Sequence, residues 1–332
     1  MLKIGVVGVG HLGQHHARIF AQMKNCKLVG VFDQNMERAT EIANKNNTKY
    51  FDKYIDLLNN IDAVDISATT TYHYELAKEA LLAGKHIFIE KPITAELWQA
   101  EELLKIADEK SLKIQVGHIE RFNPVMIDSA DIIKNPVFIE SHRIAPFTPR
   151  GSDVPVILDL MIHDIDLILS FVDSKIKHIS ASGLSLFTKS IDIANARLEF
   201  ENGAIANVTS SRVALKRERK IRFFQKDAYI SANFQDQETN IVKKSKNLNN
   251  VLAQMMFSGD DIKAEDLVDS KFIDSSNHEK DALTLELESF VDAVVNDKEP
   301  IVNGNAGLRA LRIALKIVNL IEGNNKKNKD LL

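Results

Sequence analysis

Apolar and polar residues follow two alternating patterns along the first third of the chain. Short apolar runs, each suited to a buried strand, are separated by segments whose apolar residues recur every three or four positions, as in amphipathic helices. Such alternation predicts an α/β fold with a doubly wound parallel sheet. The predicted strands are Leu2–Val7, Lys27–Phe32, Ala63–Ser67, His86–Glu90 and Lys113–Gly117, and the predicted helices are Ala17–Met23, Met36–Asn46, Tyr74–Leu82 and Ala95–Asp108.

The pattern changes in the second part of the chain, where runs of strand type follow one another and predict an antiparallel meander. One almost entirely apolar helix is predicted at Val156–Phe171, and two helices, Ala282–Val295 and Gly307–Ile321, come near the end of the sequence. Residues 245–278 are polar and ambiguous, and residues 324–332 predict a loose polar tail. The strand-like runs are Lys177–Leu186, Ala194–Phe200, Ala204–Val213, Lys220–Gln225 and Tyr229–Phe234, with a hairpin predicted at Glu201–Gly203.

Length and composition agree with two domains, which we place at residues 1–121 and 122–332. The chain has 332 residues, of which 45% are hydrophobic and 27% charged, as in ordinary globular proteins. A net charge of −4 gives no basic footprint for nucleic acid. No stretch approaches the ~20 apolar residues of a membrane span. The single cysteine, Cys26, forms no internal disulfide, so we expect a cytoplasmic protein without nucleic-acid or membrane partners.

A glycine turn joins the first strand to the first helix, with the spacing G-x-G-x-x-G. Gly8 permits a tight turn, Gly10 lets the backbone approach a pyrophosphate, and Gly13 allows the helix to pack against the strand. The helix N-terminus then offers N–H groups to an anion. We therefore predict a dinucleotide site at Gly8, Gly10, His11, Leu12 and Gly13.

Asp33 ends the second strand, twenty residues beyond Gly13. A carboxylate at this point accepts hydrogen bonds from a ribose diol and repels a 2′-phosphate. Because no arginine directly follows Asp33, NAD is favoured over NADP, although Arg38 is near enough in sequence to reach back. The alternative is that Asp33 merely ends a strand.

Ligands of such sheets bind beyond the carboxyl ends of the strands, which places four further residues at the predicted cofactor edge. Lys91 follows the fourth strand at the point where a nicotinamide ring would lie, and in a partly desolvated cleft it could take up a proton or stabilise an alkoxide. Alternatively, it is only a solvent-exposed lysine. The four residues are Thr69, His73, Glu90 and Lys91.

The apolar helix at Val156–Phe171 carries a narrow polar seam. At ~100° per residue, Asp159, His163 and Asp166 fall within about 60° of one another. Because the rest of the helix is apolar, this seam faces either a satisfied internal network or a cavity. Two carboxylates beside an imidazole can hold its tautomer and raise its basicity, as a general base requires.

Taken together, these motifs resemble the glucose–fructose oxidoreductase/inositol 2-dehydrogenase family (Gfo/Idh/MocA). The resemblance rests on the glycine turn, on His73 and Ala77 leading to residues 83–86, on residues 90–92, and on Asp159-x-x-x-His163. It implies a Rossmann domain, then an α/β domain with an open, largely antiparallel sheet and a closing helix, 307–321, that packs back on the first domain. Lys91, Asp159 and His163 match the family's catalytic positions, and the Lys91–Pro92 bond is expected to be cis. Thr70 departs from the family pattern, where many members carry proline.

Within the family, residues 117–124, 143–147 and 163–166 look like those of members that oxidise the 3-hydroxyl of UDP-N-acetylglucosamine-type sugars. Arg121, Arg143 and Asp166 are then candidates for substrate binding, and Arg150 is a further arginine that could hold a diphosphate. A free sugar or an inositol-like polyol is the alternative substrate. The resemblance and the open sheet also imply a homodimer or homotetramer.

Three classes of protein compete on this evidence. In an NAD-dependent dehydrogenase, His163 oriented by Asp159 would remove the hydroxyl proton while Lys91 polarises the oxygen, although the two could exchange roles. In a metal-dependent phosphohydrolase, His163 and Asp164 would be an HD pair, but the sequence offers no supporting cluster, and we predict no metal site. The third class is a non-catalytic dinucleotide sensor.

Overall fold

The structure is a computed structural model, and it describes residues 1–148, 154–245, 248 and 267–329. The chain divides into two compact units. Unit 1 consists of Met1–Phe122 and Lys280–Ile313, and unit 2 consists of Asn123–Glu279 and Ala314–Leu332. The two units are defined by which residues contact one another, and this does not show that each folds independently. The domain boundary between residues 121 and 122 therefore stays a prediction.

Unit 1 is built on a six-stranded sheet in which every pair of neighbouring strands is parallel. The strand order is β3-β2-β1-β4-β5-β6, which is the doubly wound Rossmann order. β1 and β5 match their predicted bounds, and β2, β4 and β6 differ from theirs by one residue, because buried parallel strands are recognisable as short apolar runs. The strands are β1 (Leu2–Val7), β2 (Cys26–Phe32), β3 (Lys49–Tyr50), β4 (Ala63–Ile66), β5 (His86–Glu90) and β6 (Ile114–Gly117).

Helices alternate with these strands, as the apolar periodicity predicts for all of them except the five-residue helix Tyr54–Leu58, which was not predicted. The second helix is capped by Asn35, whose side chain accepts a hydrogen bond from the Arg38 backbone N–H at 2.9 Å. Short 3-10 turns follow β4 at Thr70–Tyr72 and β6 at Ile119–Phe122. The helices are α1 (Gly13–Gln22), α2 (Met36–Lys45), α3 (Tyr54–Leu58), α4 (His73–Leu82) and α5 (Leu97–Glu109).

Unit 2 is built on an eight-stranded, largely antiparallel sheet with the order β14-β13-β12-β11-β7-β10-β9-β8. The two sheets together confirm the predicted fold class. The strands are β7 (Phe138–Ile144), β8 (Ile176–Leu184), β9 (Ile193–Phe200), β10 (Ile205–Ser211), β11 (Glu218–Phe224), β12 (Ala228–Asn233), β13 (Glu238–Lys244) and β14 (Val268–Asp274).

The predicted antiparallel meander is wrong at one place. β10 lies parallel to β7, and β11 pairs with the other side of β7 instead of with β10. The predicted hairpin between β9 and β10 is present, with Gly203 at a φ of 85°. Local turn chemistry identifies a hairpin, but it cannot show that an earlier strand is inserted between two later ones.

Sequence patterning also missed β3, β13 and β14. β3 has two residues, both exposed, and every residue of β14 is exposed except Ile273. β3 and β14 bury no face and so carry no alternation of apolar and polar residues that would distinguish them from a polar loop. β13 does bury Thr239 and Ile241, but its only apolar residues are Ile241 and Val242, which are too few to predict a strand.

The helices in the first part of unit 2 are α6 (Pro124–Ser129) and α7 (Ile162–Phe171). The predicted helix at Val156–Phe171 begins differently from expectation, because Ile157–Met161 forms a π-helical turn before α7. A π turn is wider than an α-helical one and is frequent at functional sites. The ~100° spacing assumed for Asp159 and His163 therefore does not apply to this stretch.

Two helices come last, α8 (Ala282–Val295) and α9 (Gly304–Lys329). In unit 1 the buried Phe290 of α8 packs edge-on against Phe88 of β5, with ring centroids 5.9 Å apart. The prediction of a loose tail over residues 324–332 is wrong as far as Lys329. Asn324 and Asn325 donate side-chain hydrogen bonds to carbonyls of β8, at 3.3 and 3.1 Å, and so hold this part of α9 within unit 2.

Candidate active site

The glycine turn lies at the carboxyl end of β1, where each glycine meets a different steric demand. Gly8 has a φ of 83°, and a Cβ there would lie 2.5 Å from the Ala68 backbone. A Cβ on Gly13 would collide with the Gly8 carbonyl, whereas a Cβ on Gly10 would meet nothing within 4 Å. The fold therefore requires Gly8 and Gly13, and the space beside Gly10 is open to a ligand.

The first residues of α1 complete this turn. Leu12 is the half-buried N-cap residue and makes no side-chain capping hydrogen bond, and the helix has no acidic residue in its first turn. His11 is exposed. A helix N-terminus without an acidic or capping side chain is suited to a phosphate anion.

Replacing Gly10 with alanine tests whether this glycine is required for NAD binding and not for the stability of the fold. Because the added methyl group meets open space, the melting temperature of Gly10→Ala should equal that of the wild type. The affinity for NAD should fall at least about tenfold, since the methyl group occupies the approach of the pyrophosphate. Thermal unfolding and calorimetric titration check both quantities. Gly13→Ala is the matched contrast, because it should lower the melting temperature. Unchanged NAD affinity in Gly10→Ala would contradict the predicted site.

Asp33, at the end of β2, is held by Arg38 of α2. Arg38 donates from Nε to Oδ2 at 3.1 Å and from Nη2 to Oδ1 at 2.7 Å. The Asn35 backbone N–H also donates to Oδ1, at 2.8 Å. The hydrogen bonding of its own guanidinium to Asp33 raises the pKa of Arg38. The ion pair orients the Asp33 carboxylate at the edge of the sheet where a ribose diol is predicted. It also engages the Arg38 guanidinium, which would otherwise be available to a 2′-phosphate.

Asp33→Ala should therefore change the choice of cofactor as well as the affinity. Loss of charge-assisted hydrogen bonds worth about 1.5–3 kcal/mol should weaken NAD binding by roughly ten- to a hundredfold. Arg38, freed from its carboxylate, should then favour a 2′-phosphate, so the NADP-to-NAD affinity ratio should rise. Titration with both dinucleotides measures this, with the exposed Asp52→Ala as the control. An Asp33→Ala protein that binds both cofactors as the wild type does would disprove the assignment.

The residues predicted at the carboxyl ends of β4 and β5 occupy two turns of unit 1. Thr69 is exposed and precedes the 3-10 turn. His73 is buried, with Nδ1 2.9 Å from the Pro92 carbonyl oxygen and Nε2 3.0 Å from the Ala68 carbonyl oxygen. Burial lowers the pKa of His73, against the opposing effect of these carbonyls. His73 thus ties the loop after β4 to the turn after β5.

Glu90 and Lys91 form the turn that ends β5, and both are partly buried. The Lys91–Pro92 peptide bond is cis, as the family resemblance implies. The Lys91 backbone N–H donates to Glu90 Oε2 at 3.1 Å. Lys91 thus lies at a fixed point of the sheet edge.

In unit 2 the predicted seam residues differ in burial. Asp159 lies in the π turn and is partly buried, as is His163 in the first turn of α7. Asp166 is almost fully buried. Asp159 and His163 are therefore more accessible to a ligand than Asp166 is.

Two of the arginines named from the sequence are described. Arg143, on β7, is buried and donates from Nε and Nη2 to the two carboxylate oxygens of Asp164, each at 2.9 Å. Its guanidinium also lies 5.9 Å from the centroid of the Phe234 ring. Arg143 therefore anchors α7 to the sheet of unit 2, and its contact with substrate stays a prediction. Arg121 is partly buried in the 3-10 turn after β6, and Arg150 lies outside the described residues.

Sequence reasoning missed two charged residues that lie beneath this edge in unit 1. His16 on α1 and Asp65 on β4 are both fully buried and are 2.7 Å apart. The available signal was Asp65 itself, a carboxylate within the apolar run of β4, because such a group needs a partner. Within the described ranges 1–148, 154–245 and 267–329, no group of three or more histidine, cysteine or acidic side chains is arranged to hold a metal ion.

Comparison with known proteins shows similarity over both units. Residues 2–118 match the family model described as oxidoreductase family, NAD-binding Rossmann fold, and residues 145–231 match the GFO/IDH/MocA C-terminal domain. UDP-N-acetylglucosamine 3-dehydrogenase of Acidithiobacillus ferrooxidans is 35% identical over 318 residues, which are 95% of this chain and 96% of that protein. The chain belongs to the Gfo/Idh/MocA oxidoreductase family.

Other Gfo/Idh/MocA proteins are similar over most of their length. Myo-inositol 2-dehydrogenase of Thermotoga maritima is 24% identical over 331 residues, covering 93% of each chain. The solved structure of the Acidithiobacillus ferrooxidans enzyme superposes with a TM-score of 0.87 at 34% identity and covers 97% of this chain and 98% of that one. This Gfo/Idh/MocA protein is thus an NAD-binding oxidoreductase, and family membership sets aside the phosphohydrolase hypothesis.

The donor groups of unit 1 fit NAD. The open space beside Gly10 and the uncapped N-terminus of α1 suit the pyrophosphate of the Gfo/Idh/MocA cofactor, and the Asp33 carboxylate suits a ribose diol. In the part of the chain that the structure describes, no helix is both long and apolar enough to cross a membrane.

Proposed function

We propose that this protein is an NAD-dependent dehydrogenase that oxidises the 3-hydroxyl of a UDP-N-acetylglucosamine-type nucleotide sugar. The observation that supports it is 35% identity to a UDP-N-acetylglucosamine 3-dehydrogenase along 95% of the chain, which includes unit 2 as well as the NAD-binding unit. A match restricted to unit 1 would speak for the cofactor alone, because substrate specificity in two-domain dehydrogenases depends on the second domain.

Three side chains carry the proposed chemistry. His163 accepts the proton of the substrate hydroxyl, Asp159 orients the imidazole, and Lys91 stabilises the negative charge that develops on the oxygen. NAD, when bound, accepts the hydride from the same carbon. The assignment of general base between His163 and Lys91 stays open, since either can accept a proton once desolvated.

The proposed substrate contacts are Arg121, Arg143 and Asp166. The buried bidentate pair of Arg143 with Asp164 supports a positioning role, in which Arg143 fixes α7 and with it His163. Arg121 is the partly buried guanidinium that we assign to the substrate diphosphate.

The proposed cofactor contacts are Gly8, Gly10, His11, Leu12, Gly13, Asp33, Thr69, His73, Glu90 and Lys91.

The reaction product provides a direct test of the substrate. After incubation with NAD and UDP-N-acetylglucosamine, mass spectrometry should find a nucleotide sugar lighter by two hydrogens, with the loss located on the sugar ring. Hydride transfer and release of one proton account for both hydrogens. Recovery of unaltered nucleotide sugar, with NADH formed only from myo-inositol, would favour the polyol alternative, which the Thermotoga maritima relative supports.

We further propose a cytoplasmic homodimer or homotetramer. The support is two groups of exposed large apolar side chains, one at the β8 edge and one at the β14 edge of the sheet of unit 2, since exposed apolar surface commonly marks contacts between subunits. Light scattering at micromolar concentration should give at least twice the mass of one chain, and a monomer would contradict the proposal. The exposed residues include Leu184, Leu186, Phe187, Val268 and Phe272.

A further inference from the structure

A cluster of buried charges lies within unit 1, beneath the glycine turn and the Lys91 turn. It joins His16 of α1, Asp65 of β4 and Glu90 of β5. His16 Nδ1 is 2.7 Å from Asp65 Oδ2, and His16 Nε2 is 3.4 Å from Glu90 Oε1. The side chains of His16 and Asp65 are fully buried, and that of Glu90 is 12% exposed.

The two ring nitrogens of His16 thus face two different carboxylates. A neutral imidazole has one N–H and can donate to only one of them, whereas an imidazolium donates to both. Burial by itself would lower the pKa of His16, but the negative charges of Asp65 and Glu90, together with the hydrogen bond to Asp65, outweigh it and raise the pKa to about 10. The Ser67 hydroxyl donates to Asp65 Oδ1 at 2.6 Å and so satisfies the other oxygen of that carboxylate.

Glu90 is held from three directions. His16 lies on one side, the Lys91 backbone N–H donates to Oε2 at 3.1 Å, and Gly117 of β6 lies opposite. A Cβ on Gly117 would lie 2.9 Å from Glu90 Oε2, so a larger residue there would displace the carboxylate from this position. Burial would raise the pKa of Glu90, but His16 and Lys91 hold it below its usual value.

The surroundings of this cluster contribute few other charges. The Phe88 ring packs edge-on against the His16 ring at 5.6 Å and excludes water from that side. Toward Glu90, the charged or titratable groups are His16, Lys91 and the neighbouring His73. The charge of Glu90 therefore depends chiefly on His16 and Lys91.

We propose that His16 is a positioning residue for hydride transfer: clamped as an imidazolium between Asp65 and Glu90, it keeps the Glu90 carboxylate ionised and fixed, and Glu90 in turn fixes Lys91. This inference rests on the proposed function for the role of Lys91. Its consequence is that one buried side chain connects α1, whose N-terminus we assign to the pyrophosphate, with the turn that carries Lys91.

The protonation state of His16 can be measured without any substrate. In protein labelled with 15N at histidine, both ring nitrogens of His16 should give N–H signals at about pH 8, where an ordinary histidine is neutral. The signals are assigned from their through-space contacts with the Phe88 ring, whose centroid lies 5.6 Å from that of His16, and their loss in His16→Gln checks the assignment. A His16 ring that carries one proton at that pH and titrates near the usual histidine pKa would overturn the proposal, whether or not the substrate has been identified.

Kinetics test the positioning role. His16→Gln keeps an N–H donor of similar size but removes the charge, and His15→Gln on the exposed side of the same helix is the matched control. We expect kcat with UDP-N-acetylglucosamine to fall at least about tenfold while KM and NAD affinity stay within about threefold. Because Glu90 without its cation takes up a proton more readily, the acid limb of the kcat profile should move to higher pH.

The outcomes separate the two proposals. A residue with only a structural role would lower the melting temperature but leave the kcat–pH profile of the folded enzyme unchanged, and that result would overturn the positioning role. Failure of UDP-N-acetylglucosamine as substrate would contradict the proposed function alone, and the same kinetic comparison would then use myo-inositol. If His16→Gln does not fold, the ring signals of the wild-type protein still decide whether His16 is an imidazolium.

Discussion

His163→Ala should turn over substrate about 10²–10⁴-fold more slowly than the wild type while binding NAD equally well. A general base acts on the proton that leaves during oxidation, so its removal affects the transition state and not the bound cofactor. Steady-state kinetics with NAD and the nucleotide sugar give kcat, and calorimetric titration gives the NAD affinity. Asp159→Asn should lower kcat in the same direction by an equal or smaller factor, because Asp159 orients the imidazole.

The control for this substitution is His178→Ala, which removes an exposed histidine from the sheet of unit 2. It should leave kcat and the melting temperature unchanged. Wild-type turnover in His163→Ala would show that Asp159, His163 and Asp166 form only a structural network on the apolar helix.

The second large effect is expected for Lys91→Ala, with a loss in kcat of about 10²–10⁴-fold and little change in NAD affinity. The ammonium group stabilises charge on the reacting oxygen, and alanine supplies none. Lys105→Ala, which removes an exposed lysine from α5, is the control. An unchanged kcat in Lys91→Ala would exclude any direct role of this lysine in the chemical step.

The double variant of Lys91 and His163 shows whether these residues act on the same step. If both act on one hydroxyl, the combined loss in kcat should be smaller than the product of the two single losses. Independent contributions would multiply, and that result would contradict a shared role at the reacting oxygen.

The parallel sheet of unit 1 was predictable because the central residues of β1, β4 and β5 are buried and mostly apolar, so each strand appears in the sequence as a short apolar run. The glycine turn was predictable for a related reason, since Gly8 and Gly13 meet steric demands that other residues cannot. In contrast, β14 exposes almost all of its side chains, and its sequence holds no comparable signal.

Pairings between distant elements could not be predicted from the sequence. Arg143 and Asp164 looked like a substrate contact and half of a metal motif, yet they form a buried ion pair between β7 and α7. Similarly, His16 and Asp65 are separated by 49 positions along the chain, and only the packing of α1 against the sheet brings them together. Residue type and spacing report local geometry, whereas such contacts depend on the tertiary fold.

The central claim, NAD-dependent oxidation of a nucleotide sugar, is tested most directly by following NADH absorbance with purified protein and NAD. UDP-N-acetylglucosamine, free N-acetylglucosamine and myo-inositol are compared at equal concentration, with Lys91→Ala as the blank. The account predicts rapid NADH formation with the nucleotide sugar and much slower formation with the other two. NADH formation from myo-inositol or the free sugar, with none from UDP-N-acetylglucosamine, would contradict it.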